Sequence, residues 1–225
     1  FYHPEQSIMV DGEGSTHSSL HANAFSVALG LADPTSTIMD FIQSKGMACS
    51  VYGAQYLLEA LYLAGLDETA LSLLTSVSER SWYNMIRVGS TITTEAWDMR
   101  FKQNQDWNHA WGAAPANIIS RHIAGVRPLA PGFSKVLIEP KVIGFSFMSA
   151  TVPTIRGSVR IQFSLKDNSG YMEVDIPGNM DARVHLPWRF GPDILIDGRN
   201  FHAPYINGHP LIPSLGPGRH TITMR

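Results

Sequence analysis

The sequence predicts a helical domain followed by an antiparallel β-sandwich, with the change near residue 130. Three observations carry this. Over 17–77, and again over 108–124, apolar side chains recur at three- and four-residue steps, the period of one helix face. From Val136 onward the pattern becomes alternation, interrupted by Gly, Pro, Asp and Asn, as short half-buried strands require. Between the two lies Val126-Arg127-Pro128-Leu129-Ala130-Pro131-Gly132, a proline-rich joint. The expected domains are therefore 1–130 and 131–225.

The helical part reads element by element. Residues 1–16 are turn-rich, with Asp11-Gly12 and Glu13-Gly14 as breakers. His17 to Leu31 carries Leu20, Ala24, Val27, Ala28 and Leu31 on one face. Asp33-Pro34 reads as a cap and a first-turn proline, opening a short helix with Ile38, Phe41 and Ile42 that stops at Gly46. Ser50 can cap the next helix, where Ala54, Leu57, Leu58 and Leu61 share a side and Gly65 follows the end. Asp67 caps another, with Ala70, Leu71, Leu74 and Val77 apolar. A last helix is expected from about Asn108 to Ala124, with Gly125 as its stop. Five helices in antiparallel succession form either a free-standing bundle or a sector of a larger toroid. Small residues at Ala22, Ala24, Ala28, Gly53, Ala54 and Ala60 favour close contacts on more than one side, and so the toroid.

In the second part, Val136-Leu137-Ile138 leads into Pro140. Ser158 to Phe163 and Tyr171 to Ile176 alternate strictly around the turn Lys166-Asp167-Asn168-Ser169-Gly170, which makes a hairpin. Arg183 to Leu186, Ile194 to Ile196 and His220 to Met224 add short strands, the texture of a sandwich. No acid, histidine and aromatic set gathers in 133–225, so no catalytic residue is expected there.

With 44% apolar residues a sizeable core can be buried. A net charge of −2 without a basic patch points away from nucleic acid, and no polybasic or amphipathic segment points to a membrane. The single cysteine, Cys49, excludes an internal disulfide and leaves cytoplasmic, periplasmic and secreted locations all open. The start, Phe1-Tyr2-His3-Pro4, reads as that of a processed chain or a piece of a longer one.

Function concentrates in Ser90 to Gly112, which lacks helical period and reads as a loop. It holds Trp97, Trp107 and Trp111, the carboxylate Glu95 between Thr94 and Trp97, and His109. Aromatic faces beside carboxylates suit sugars, whose C–H faces pack on rings while their hydroxyls need acceptors. Aromatics plugging a core would leave the same pattern. His17 and His21, four apart, could share a helix face as metal ligands, but no further ligand pattern accompanies them and no metal is expected. Cys49 lacks a basic neighbour to make it a nucleophile. There is no glycine-rich phosphate loop and no cofactor motif.

Several strings resemble the α-L-rhamnosidases of glycoside hydrolase family 78. They are Ser50 to Leu61 (SVYGAQYLLEAL) with Gly65, Thr93-Thr94-Glu95-Ala96-Trp97-Asp98, Asn108-His109, and His21-Ala22-Asn23-Ala24 with Ala28 to Leu31. Pro131-Gly132-Phe133, Ile138-Glu139-Pro140, Gly157 to Ile161 and Val174 to Pro177 are similar to that family's terminal β-domain. The resemblance implies the last helices of an (α/α)6 toroid followed by a β-sandwich, and inverting hydrolysis of terminal α-L-rhamnosyl groups. It makes Glu95 the catalytic base. His109 becomes a hydrogen-bonding partner of the sugar, and Trp97, Trp111 and Tyr52 candidate binding surfaces. The family's acidic cluster with the general acid finds no match here, so the rest of the toroid would have to supply it. Another toroid glycosidase acting on a different sugar, or a non-catalytic carbohydrate-binding fragment, remain alternatives.

Overall fold

The computed structural model describes residues 1–166, 169–187, 193–206 and 208–225. The chain divides into two compact units, Phe1–Ile118 and Ile119–Arg225. Residue 130 thus lies inside the second unit, and the proline-rich joint begins with a strand, Val126–Pro128.

The first unit opens with two short antiparallel strands, β1 (Tyr2–His3) and β2 (Ile8–Met9). Helices α1 (Leu20–Ala28), α2 (Ser36–Lys45), α3 (Gly53–Leu63) and α4 (Asp67–Leu74) follow, each within one of the expected spans. Side-chain acceptors satisfy orphan amides at the starts of α1, α2 and α3, whereas α4 has no side-chain cap: Asp67 is its first helical residue, not its cap, and with Glu68 places acidic charge in the first turn. Ser19 Oγ accepts from Ala22 N at 3.0 Å and Ser50 Oγ from Gly53 N at 3.0 Å. For α2 the cap is Thr35, accepting from Ile38 N, rather than Asp33. Thr35 N donates to Asp33 O at 2.8 Å, a tight turn that leaves Thr35 rather than Asp33 as the extended residue ahead of the first helical turn. The α2 and α3 ends pass into Gly46 (φ 53°) and Gly65 (φ 73°), left-handed conformations that a Cβ disfavours.

Helix α3 is the axis of this unit and packs against α1, α4 and a later helix, α6 (Ala114–Ile118). Ala54, Leu57, Leu58, Ala60 and Leu61 are each 1% exposed or less. A helix buried on most of its circumference has to be apolar on most of it, which is why its periodicity is so clear.

Two helical expectations change. Helix α5 (Trp82–Arg87) is an addition to the sequence reading: Trp82, Met85 and Ile86 have helical spacing, but six residues are too short a run for the period to stand out. Buried Ser81 starts it, its Oγ accepting from Asn84 N at 3.1 Å. The expected helix over 108–124 is not one uniform winding. Ala110–Ala113 form a 3-10 turn, α6 spans Ala114–Ile118, and Ile119–Ile123, which open the second unit, are π-helical. Among the described residues no helix is long and apolar enough to cross a membrane.

The second unit has β3 (Val126–Pro128), β4 (Lys135–Ile138), β5 (Phe147–Thr154), β6 (Gly157–Lys166), β7 (Ser169–Ile176) and β8 (Asp181–His185). After these come β9 (Ile194–Ile196), β10 (Arg199–Phe201), β11 (Tyr205–Ile206), β12 (His209–Leu215) and β13 (Gly218–Met224). They form two sheets, in the orders β10-β9-β13-β7-β6-β5 and β11-β12-β8-β4-β3. Only β4 and β8 run parallel among the described pairs. The expected hairpin is present: Ile161 faces Val174 and Phe163 faces Met172. Its turn residues 167 and 168 lie outside the described residues. One core joins both sheets, with Val159, Ile161, Phe163, Met172 and Val174 from one and Val136, Ile138, Ala182 and Val184 from the other. The unit is a β-sandwich.

Strands β3, β5 and β12 escaped the sequence reading, and all three contain proline. β3 and β5 are edge strands, where a residue without N–H need not break a ladder. A proline there hides a strand from pattern without preventing it.

Candidate active site

Residues 90–109 contain no helix and no strand, in accord with the loop expectation. The loop is held by pairing of its two limbs. Glu95 N donates to Asp106 O at 3.0 Å, His109 N to Thr93 O at 2.8 Å, and Thr93 Oγ1 to His109 O at 2.9 Å. Ala96 N donates to Gln105 Oε1 at 3.2 Å. Backbone groups without regular structure are thus still satisfied, and the loop has a defined shape. Helix α5 fixes it from outside. Asn84, fully buried, donates through Nδ2 to Trp97 O at 3.0 Å and to Asp98 Oδ2 at 3.2 Å. Trp82 Nε1 donates to Gly112 O at 2.8 Å. Gly112 has no room for a side chain, since a Cβ would lie 2.8 Å from Thr93 Cβ and 2.9 Å from Thr94 O.

The loop forms one wall of a cleft of about 570 Å³, bordered also by His21, Ser50, Tyr52 and Arg80. Glu95 stands on this wall with a side chain only 13% exposed. Lys102 Nζ donates to its Oε1, and Asp106 N donates to Oε2 at 3.1 Å. The Lys102 hydrogen bond is the main reason that its carboxyl titrates below the ordinary glutamate value, with the Asp106 N–H second and partial burial opposing both. Glu95 is therefore an ionised acceptor at neutral pH.

The other expected residues divide into two groups. Tyr52 and Trp111 are 43% and 44% exposed, border the cleft, and meet at 5.5 Å between ring centroids. Trp111 in turn stacks obliquely on His109 at 4.1 Å, and its Nε1 donates to Glu95 O at 3.3 Å. The structure thus brings Glu95, Trp111, His109 and Tyr52 together. Trp97 also borders the cleft, but it is 2% exposed. Its Nε1 is taken by Cys49 O at 2.7 Å and its ring meets Trp82 edge-on at 5.0 Å. It is a floor, packed from below. Trp107 is 43% exposed as well, so of the loop's three tryptophans only Trp97 packs as a core residue.

Sequence reasoning passed over Lys102, Asp106 and Asn84. Lys102 lies in a polar run with no period, seven residues from its partner, and nothing local marks the contact. His17 and His21 are engaged separately: His17 Nδ1 pairs with Asp11 Oδ2 at 2.5 Å, while His21 meets Phe25 edge-on and borders the cleft. One donor atom each from Glu95, Asp106 and His109 lies within 4.8 Å of the others, close enough to share a cation. Lys102 already brings a positive charge to Glu95 at that place, and His109 Nδ1 lies 3.4 Å from Asp106 Oδ2. The cluster is an ion-paired carboxylate site.

Residues 3–123, more than half of the chain, match the family model described as the bacterial α-L-rhamnosidase six-hairpin glycosidase domain. The chain belongs to this family. Residues 125–193 match the bacterial α-L-rhamnosidase C-terminal domain, in line with the change from helices to sheets. Among relatives, an α-L-rhamnosidase of Formosa agariphila is 27% identical over 158 residues, and one of Alteromonas sp. is 24% identical over 156. The match covers 66% of this chain and 17% of each relative, so the chain spans about a sixth of their length. In fold it is similar to the α-L-rhamnosidase of Dictyoglumus thermophilum, with a TM-score of 0.81 at 21% identity over 95% of this chain and 26% of that one. The Streptomyces avermitilis α-L-rhamnosidase solved with L-rhamnose gives 0.79 at 20% identity, over 98% of this chain and 23% of that one. The six-hairpin glycosidase family thus accounts for the helical unit, and its C-terminal companion for most of the β unit.

Proposed function

We propose that this segment carries the general base of an inverting α-L-rhamnosidase, with Glu95 as the base and a terminal rhamnosyl group as substrate. The observation that carries the reading is the state of Glu95: ionised, held by two donors, and set in a cleft wall beside exposed aromatic faces, in a chain of this glycosidase family. An inverting site uses one carboxylate to activate water and a second carboxyl, ~6.5–9.5 Å away, to protonate the leaving oxygen. In this reading the second carboxyl belongs to the remainder of the toroid. Tyr52 and Trp111 offer faces for the C–H side of a sugar, and His109, against Trp111, offers a hydroxyl partner. Trp97 acts beneath them, keeping Ala96 and Glu95 at their height.

The test is Glu95→Gln in a complete enzyme carrying this segment. The amide keeps the size and loses the base, so kcat is expected to fall by ~10²–10⁴-fold with little change in KM. In Glu95→Ala, azide should restore turnover and give the glycosyl azide of inverted configuration, read by NMR. Near-normal kcat in the Gln variant, or a retained anomeric configuration in the wild-type product, would remove Glu95 from this role. A panel of aryl glycosides reads out the sugar.

A further inference from the structure

Both oxygens of Glu95 are engaged, Oε1 by Lys102 Nζ and Oε2 by the Asp106 N–H. Each carboxylate oxygen offers two lone-pair sites, so one on each stays open. The lysine ammonium and the backbone amide together fix the rotation of the carboxylate plane, and with it the direction in which the open lone pairs point. The side chain is 13% exposed, and partial burial by itself raises the carboxyl's pKa, an effect that the two donors outweigh.

Resting on the reading of Glu95 as base, we propose that Lys102 is the positioning residue of the base, aiming the Glu95 carboxylate at the attacking water and balancing its charge. Other charged and titratable groups around the cleft do this less directly. His109 contributes a weaker charge effect on Glu95 and sits 3.4 Å from Asp106 Oδ2. Arg80, from the segment ahead of α5, has its guanidinium over the Phe101 ring at 4.8 Å and donates to Met47 O at 3.4 Å. His21 from α1 meets Phe25, and the Tyr52 hydroxyl is bonded to that of Tyr56. Lys102 is the cation that touches the carboxylate, and it reaches it across the loop from a position 42% exposed, so it holds the base without sealing the cleft.

The test compares Lys102→Met, Lys102→Arg and the wild type in a complete enzyme carrying this segment, with kcat/KM followed against pH. The acid limb of that profile reports the free enzyme's base. In wild type the limb should lie below the ordinary glutamate range. In Lys102→Met it should move to higher pH, with kcat lower by ~10- to 100-fold, the size of losing a hydrogen bond to a charged group. Lys102→Arg should keep the limb near its wild-type position. If Lys102→Met does not fold, Lys102→Ala, which likewise removes both donor and charge, is read in the same way. An acid limb that stays in place overturns the proposal even if activity falls, because a mere loop staple would lower activity without moving the limb. In a Glu95→Gln background, adding Lys102→Met should cost nothing further, and an independent loss there would also overturn it. If Glu95→Gln alone retains turnover, the assignment of the base fails, whatever Lys102 does.

Discussion

The two units solve the burial problem in opposite ways. In the β unit the two sheets close on a single core, in which Phe163, Val174, Val184 and Ile222 are fully buried. Its polar groups are spent on structure, as in the Arg160–Asp175 and Arg127–Glu139 pairs. In the helical unit α3 is sheathed, but the loop beside it leaves Tyr52, Phe101, Trp107 and Trp111 partly in solvent. The same loop holds an ion-paired carboxylate at the edge of a cleft. A closed core gives stability, and an incompletely covered aromatic wall gives a place to bind. The difference teaches that the proposed site lies where aromatic faces stand uncovered beside a carboxylate, not merely where apolar side chains are exposed, since the β unit also leaves Phe147 and Ile155 in solvent.

The sharpest way to break this comparison is Phe163→Ala. Phe163 is fully buried opposite Met172, and deleting a buried aromatic ring costs ~3–5 kcal/mol. The loss should be confined to the β unit. Limited proteolysis with mass spectrometry should show new cleavage within 119–225 and an unchanged pattern within 1–118. Equal loss of protection in both would mean that the two units unfold as one.

Trp97→Phe probes the floor of the site. It removes the donor to Cys49 O and part of the edge contact with Trp82, leaving a buried carbonyl unpaired. The expected cost is ~1–3 kcal/mol in urea unfolding of the helical unit. A variant as stable as wild type would mean that Trp97 is held less firmly than its burial implies.

The smallest effect concerns reactivity. Burial pushes the Cys49 thiol up to about 12, with Arg80 opposing only weakly. At pH 8 its alkylation by iodoacetamide should be ~10³-fold slower in the native protein than in urea, from thiolate fraction alone. Rapid native labelling would show that the cleft opens to expose its floor, so that the helical unit would be incompletely closed at its floor as well as at its wall.

By itself the sequence determined the helices with a buried face, the alternating strands, and the loop that carries Glu95, His109 and the tryptophans. Helical and strand periods are local consequences of which side of a backbone faces water, so they survive in a one-dimensional pattern. The Ser50 cap is local for the same reason, since donor and acceptor lie three residues apart. The tertiary structure alone decided the rest. Trp97 and Trp111 lie in one aperiodic loop, yet one is floor and the other wall, because burial there depends on α5 and Cys49, which reach Trp97 through Asn84 and a single carbonyl. The Pro-bearing strands β3 and β5 exist because each found an edge. Lys102 meets Glu95 only because the limbs of the loop pair at Glu95–Asp106 and Thr93–His109. Loops have no period to read, and their side-chain directions follow from hydrogen bonds between residues distant in sequence. The loop was therefore legible as a place, while the pairing that equips Glu95 for chemistry was not.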